Sequence, residues 1–339
     1  MKPWVKTALK IIISVALLSY LITQAGIEKT LEQLKTANLW FVPVAVGLYL
    51  LSQWVSAYRW QFLSKALGFH LPLRTFYDYY LMGMFFSLFL PGAIGGDVMR
   101  MVFLARACKR KKREALLTLL AERGVGLIAV LLMTGTVCLL PPVQVIPSEI
   151  RLTLVGMSLA AIVGYVILTA LPIARLAQRY SFLNLLVQAE VYWRNFPLLT
   201  RSVLISFAVQ GVMILTQLGI AQAVGIDVPL PCLIAVYGLA GLISVLPISF
   251  NGIGVREGAY VSLFHFMGIP KETALAFALY WFMVSSLTSL VGGIVMLKGH
   301  YQPPSPDDPD LEDPNNEDSK SNDAESTQVI SGGQLESMS

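Results

Sequence analysis

Leu90-Pro-Gly-Ala-Ile-Gly-Gly-Asp-Val-Met-Arg100 breaks the apolar run 75–105 near its middle. Leu246-Pro-Ile-Ser-Phe-Asn-Gly-Ile-Gly-Val-Arg-Glu257 breaks the run 232–267 in the same way. Each has a Leu-Pro step, a Gly-rich turn, then an acid and an arginine opening the next helix. Pro91 and Pro247 stop the incoming helix, while glycine permits positive φ and close backbone approach. In hydrocarbon such a turn leaves N–H and C=O groups unpaired, so it persists only inside protein or lining a wet cavity. The reading of these two breaks decides the fold.

Their surroundings are those of a membrane protein. The 339 residues are 55% hydrophobic and only 14% charged, with a mean hydropathy of +0.64. About a quarter of a soluble chain is charged, so a soluble enzyme is excluded. Crossing the bilayer takes about 20 mostly apolar residues, and 8–24, 39–57, 115–140, 152–174, 202–223 and 273–297 qualify. The first follows Lys2, Lys6 and Lys10 but is long for a signal peptide, with only a weak cleavage site at Thr23-Gln24-Ala25, and reads as an uncleaved anchor.

The formal net charge of +4 averages two objects. Residues 302–339 hold ten acids against Lys320 alone, leaving 24 bases and 11 acids in residues 1–301. The sequence therefore predicts an integral membrane domain over 1–301 and an acidic, disordered tail over 302–339. Lys29 and Lys35 lie between the first two spans, and Arg59, Lys65 and Arg74 in the following loop. Six bases fall between Arg106 and Arg113, and Arg175, Arg179, Arg194 and Arg201 accompany an amphipathic segment over 175–200. If both broken runs were ordinary crossings, the six-base cluster would lie outside. If each is a hairpin returning to its own side, seventeen bases fall inside and four (Lys29, Lys35, Arg151, Lys271) outside, as the positive-inside rule requires. The expected fold is all-α and polytopic, with six full crossings, two re-entrant Gly/Pro-broken hairpins, both termini cytoplasmic, and a location in the cytoplasmic (inner) membrane. The hairpins enter from opposite sides, so the halves form an inverted repeat, the pattern that points to a midplane transport site.

Asp78, Asp97, Arg100, Glu122, Arg123, Arg256 and Glu257 fall in or near apolar segments, where each must pair or face water. Asp97 and Arg100 are spaced i,i+3 and can meet on a helix. Arg256 and Glu257, as neighbours, are expected to find partners elsewhere. Arg100 and Arg256 suit a phosphate or carboxylate head group, or equally a structural salt bridge. Asp97 and Glu257 could carry a proton, contact a cationic group, or cap a helix. Glu122 and Arg123, early in their span, read as supporting residues. Trp40, Trp54, Tyr58, Trp60, Tyr79 and Tyr80 read as interfacial anchors. The amphipathic segment, with Tyr192 and Trp193, reads as lying along the cytoplasmic surface. The basic cluster reads as an orientation signal rather than a nucleic-acid site.

Cys108, Cys138 and Cys232 suggest no disulfide framework. His70, His265 and His300 have no ligand-like spacing. No catalytic motif stands out, so neither a metal nor a cofactor is expected; an enzymatic role is not expected either, with an intramembrane site built from Asp97 and Glu257 left as the last alternative.

The two quoted stretches resemble the flippase-like family, which includes the transmembrane region of lysylphosphatidylglycerol synthases. The resemblance covers about 5–298 and rests on Gly95, Gly96, Asp97 and Arg100 in the first motif, and on Gly252, Gly254, Arg256 and Glu257 in the second. It implies movement of a polar lipid across the membrane. From their own chemistry, the motif residues are the candidate head-group contacts, with Glu122 and Arg123 as candidate support. No soluble aminoacyl-transfer domain follows Lys298, so aminoacyl-lipid synthesis is not expected. The expected partners are membrane lipids with anionic head groups. Envelope-synthesis enzymes and a homo-oligomer stay open. The combined expectation is translocation of a phosphate-bearing lipid or lipid-linked sugar; a proton-coupled solute transporter and a non-transporting scaffold are the alternatives.

Overall fold

The computed structural model describes residues 3–90, 95–109, 112–171, 184–245 and 248–298. Pro91 to Ile94 of the first turn, Leu246 and Pro247 of the second, part of the basic cluster and of the amphipathic segment, and the acidic tail lie outside the described residues.

Twelve α-helices and a short 3-10 turn (Pro141–Val145) make up the described residues, among which there is no strand. The helices are α1 (Pro3–Ala25), α2 (Ile27–Thr36), α3 (Phe41–Lys65), α4 (Leu73–Phe89), α5 (Gly95–Ala107) and α6 (Lys112–Val137). There follow α7 (Ser148–Ala170), α8 (Asn184–Arg194), α9 (Phe196–Ala223), α10 (Leu230–Ser244), α11 (Val255–His265) and α12 (Lys271–Lys298). Six are long and apolar enough to cross a membrane: α1 from Ala8 onward, α3, α6, α7, α9 and α12. They overlap the six apolar stretches, and the chain is a multi-pass membrane protein. Each broken run is a pair of shorter helices. α4, α5, α10 and α11 have 17, 13, 15 and 11 residues, or about 16–26 Å at 1.5 Å per residue, against about 30 Å of hydrocarbon.

At the centre α3 packs along α9. Ser52 and Ser56 on one helix, and Ser202 and Ser206 on the other, are buried at four-residue spacing, the small-residue pattern that lets membrane helices approach. Ser202 and Ser206 donate back to the carbonyls of Leu198 and Ser202, at 2.8 Å each, so they need no partner across the interface. α4 packs on α5, α3 and α12; α10 packs on α11, α9 and α6. The outer spans α1 and α7 bury little and present Ile12, Val15, Leu152 and Val163 outward.

Three expectations are corrected. α3 runs to Lys65 rather than ending near residue 57, so Arg59 is not a loop base; it is buried within the helix. Its charge does not end the span because an acid on α6 meets it. Trp60 is no interfacial anchor: it is fully buried, edge-on to Phe76 at 4.7 Å, and its indole N–H donates to Thr118 at 3.0 Å. Trp40 is exposed just before α3, where an anchor belongs, whereas Trp54, also exposed, falls near the middle of the longer helix. Tyr192 of α8 is also buried, and its hydroxyl donates to the Leu63 carbonyl at 3.4 Å. That end of the amphipathic segment docks on α3.

Gly47 of α3 and Gly156 of α7 are helical, and nothing lies within 4 Å of an added methyl at either. Gly47→Ala and Gly156→Ala are expected to be neutral or to stabilise by up to about 1 kcal/mol, since alanine loses less backbone entropy. Thermal unfolding in detergent checks this; a lowered midpoint would count against it.

Candidate functional site

Asp97 occupies the first turn of α5, where a carboxylate faces the positive end of the helix. Its Oδ1 accepts from Arg100 Nη1 at 3.1 Å and from Arg123 Nη2 at 2.9 Å, and its Oδ2 accepts from Arg123 Nε at 2.9 Å. The Asp97–Arg123 pair is therefore a two-pronged fork. Arg100 is only 2% exposed. Its guanidinium lies between two rings, 4.3 Å from the centroid of Trp60 and 3.9 Å from that of Tyr80, a double cation–π contact. Its Nη2 lies 3.5 Å from Glu122 Oε2.

Glu122 is ten residues into α6 and wholly buried. Its Oε1 accepts from Arg59 Nη2, and Arg59 Nη1 donates to Ser206 at 2.7 Å. Three arginines and two carboxylates from α3, α5 and α6 thus form one chain, Arg59–Glu122–Arg100–Asp97–Arg123, with one positive charge in excess. Burying such a chain is costly unless each charge keeps a partner, and each does. Arg123 alone is open, with its side chain 60% exposed.

The close approach of α4 to α5 requires glycine. A methyl on Gly96 would strike the Gly83 carbonyl and the Ser87 hydroxyl, and one on Gly83 would lie 2.6 Å from Arg100 Cγ. A methyl on Gly95 would come 2.6 Å from Leu90 Cβ.

The second break has a different electrostatic design. Gly252 and Gly254 have φ of +77° and +82°, the left-handed region that favours glycine, and Asn251 joins them at +51°. The Gly254 N–H donates to Glu257 Oε2 at 2.6 Å, so Glu257 caps α11 from within. Glu257 Oε1 accepts from Arg256 Nε at 3.2 Å and from Nη2 at 2.9 Å. The expectation that these neighbours seek partners elsewhere is corrected. The capping turn brings the carboxylate back to the helix start, where Arg256 reaches it. Glu257 is buried and Arg256 half-buried.

The second break touches the helix that leads into the first. Asn251 Nδ2 donates to the carbonyl of Ser87, in the last turn before the first break. Gly95, Gly96, Asp97, Arg100, Glu122 and Arg123 are gathered on one side, and Gly252, Gly254, Arg256 and Glu257 on the other. Arg59, Trp60, Tyr80, Ser87 and Asn251 complete the arrangement and were missed as site residues. Ser52, Ser56 and Arg59 share one helical face, and that polar register was the available signal for Arg59. Among the described residues, no group of three or more His, Cys, Asp or Glu is placed to hold a metal ion.

The model of the lysylphosphatidylglycerol synthase TM region matches residues 7–293, which include both breaks and every residue of the charged chain. The chain belongs to that family. The resemblance carried by the two Gly-rich motifs is therefore a true relationship. Among relatives of this lysylphosphatidylglycerol synthase TM-region chain, a UPF0104 membrane protein of Pyrococcus horikoshii is 24% identical over 332 residues, covering 86% of this chain and 97% of the relative. One of Methanocaldococcus jannaschii is 24% identical over 317 residues, covering 86% and 94%. A third, of Methanothermobacter thermautotrophicus, is 23% identical over 303 residues, covering 80% and 88%.

Proposed function

We propose that this chain moves a phosphate-bearing polar lipid or lipid-linked sugar across the cytoplasmic membrane, through a cavity between two re-entrant hairpins of an inverted repeat. The observation that carries the reading is the contact of the second Gly-rich break with the end of α4, the helix that leads into the first, with an arginine held by a carboxylate beside each break. Irregular backbone in a membrane belongs in protein or along a cavity, and paired breaks in two halves mark transport sites.

Helix packing supports the repeat. If α3–α6 corresponds to α9–α12, the contact of α4 with α12 has its counterpart in α10 with α6. Likewise α3 with α6 corresponds to α9 with α12, α3 with α12 to α9 with α6, and α3 with α9 to itself. The lengths of α4, α5, α10 and α11 suit helices that enter and return. The excess of bases on one face orients the chain with both termini cytoplasmic. No covalent chemistry is part of this reading.

A leaflet-resolved assay in proteoliposomes, with a fluorescent phospholipid quenched from one side, tests it. The wild type is expected to speed exchange between leaflets, and the folded double variant Arg100→Ala, Arg256→Ala to lose most of that acceleration. Equal rates would sink the proposal. Proton-driven uptake of a solute without lipid movement would favour the solute carrier. A stably co-purified enzyme, with both charge variants behaving as wild type, would favour the scaffold.

A further inference from the structure

The first motif draws attention to Arg100, but its geometry gives it no free face. It is buried, stacked on both sides by Trp60 and Tyr80, and directed at Asp97 and Glu122. Arg59 is spoken for by Glu122 and Ser206. Arg123 shares Asp97 with Arg100 but differs in its exposure. It is exposed, it commits Nε and Nη2 to Asp97, and its Nη1 has no partner among the described residues. Asp97 in turn still holds Arg100 if Arg123 leaves it.

The neighbours of Arg123 indicate what reaches it. Leu116, Leu120 and Leu127 are exposed, and with Arg123 they fall at i, i+4, i+7 and i+11 on one face of α6. An arginine set in a stripe of outward leucines, on a spanning helix, is approached from within the membrane plane. It lies eleven residues from the start of α6 at Lys112, about 16 Å along the axis at 1.5 Å per residue. A guanidinium that deep is costly beside bare hydrocarbon. A carboxylate on one side and an anionic head group on the other offset that cost. The surplus positive charge of the five-residue chain has the sign such a ligand needs.

We propose that Arg123 is the docking residue for the phosphate of a membrane lipid, that the lipid's acyl chain lies along Leu116, Leu120 and Leu127, and that Asp97 is the carboxylate the phosphate displaces. This rests on the lipid-translocation reading and names its first binding residue. Arg100 is then a positioning residue that keeps Asp97 in place through the exchange.

The test uses the full chain purified in detergent and three probes: dioleoyl phosphatidic acid, dioleoyl phosphatidylcholine and inorganic phosphate, with binding read by native mass spectrometry and equilibrium titration. Phosphatidic acid is expected to bind, and Arg123→Gln to weaken it at least tenfold. Arg123→Lys, which keeps the charge but loses the fork, should fall between. Asp97→Asn is expected to strengthen binding severalfold, because it frees the guanidinium and removes the competing charge. A purely structural ion pair predicts the opposite sign. Wild-type affinity in Arg123→Gln, or weakened binding in Asp97→Asn, would overturn the assignment. So would inorganic phosphate binding as tightly as the lipid, since the leucine stripe would then contribute nothing. Binding at Arg123 without movement between leaflets would defeat translocation and leave the docking site standing. Loss of movement in Arg123→Gln with phosphatidic acid binding intact would do the reverse.

Discussion

Glu122→Ala is expected to destabilise the protein by about 3–5 kcal/mol, the usual result of removing one partner from a buried ion pair. Among the described residues, Glu122 is the sole carboxylate on Arg59 and the second on Arg100. Both guanidiniums are nearly inaccessible, so neither can recover water. Arg59 would keep only the Ser206 hydroxyl; Arg100 would keep Asp97 and its two rings. Glu122→Gln retains the volume and one acceptor, and should cost less. The decisive comparison is Arg59→Met with Glu122→Leu. Replacing a buried pair by apolar side chains of similar size is often near neutral, so the double variant should recover more than half of the loss. Thermal or denaturant unfolding in detergent measures all three. A loss below about 1 kcal/mol for Glu122→Ala is the range of solvated pairs and would mean that water reaches the site.

That cluster also marks what could and could not be read from the amino-acid order. The six spans were legible because length and hydropathy act locally and about 20 apolar residues suffice. The breaks were legible because proline and glycine act on their own backbone. The Asp97–Arg100 pair followed from helical spacing. Arg59 was legible only through the polar face it shares with Ser52 and Ser56; its pairing was not, since its acid is 63 positions away on α6. A charge in an apolar stretch normally signals its end, and only a tertiary partner reverses that. Trp60 and Tyr192 were misplaced for the same reason: whether an aromatic ring sits at an interface or in a core depends on what packs against it. Arg256 and Glu257 failed differently. Neighbours on an established helix diverge, but at a helix start the capping turn folds the carboxylate back. The Asn251–Ser87 contact joins two segments 164 positions apart, and no local pattern encodes it.

Gly292→Ala is expected to be the most damaging single-methyl addition on α12. A methyl there would run into the carbonyl of Leu81 on α4. Backbone cannot swing aside as a side chain can, so the two helices must separate. Overpacking costs about 1–3 kcal/mol where neighbours can adjust, and here they cannot adjust locally. Gly293 supplies the internal control: its methyl would lie 2.8 Å from Cε2 of Phe85, a ring that can rotate away. Unfolding midpoints should therefore fall most for Gly292→Ala, less for Gly293→Ala, and not at all for Gly47→Ala. The consequence extends beyond stability. α4 also supplies Tyr80 to the Arg100 stack and Ser87 to the contact with Asn251, so displacing it loosens both breaks at once. Gly292→Ala should accordingly slow leaflet exchange even at temperatures where the protein stays folded, while Gly293→Ala slows it little. Equal midpoints for Gly292→Ala and Gly47→Ala would mean that α4 and α12 do not cross at backbone contact. The route by which packing at Gly292 reaches the charged chain would then be lost as well.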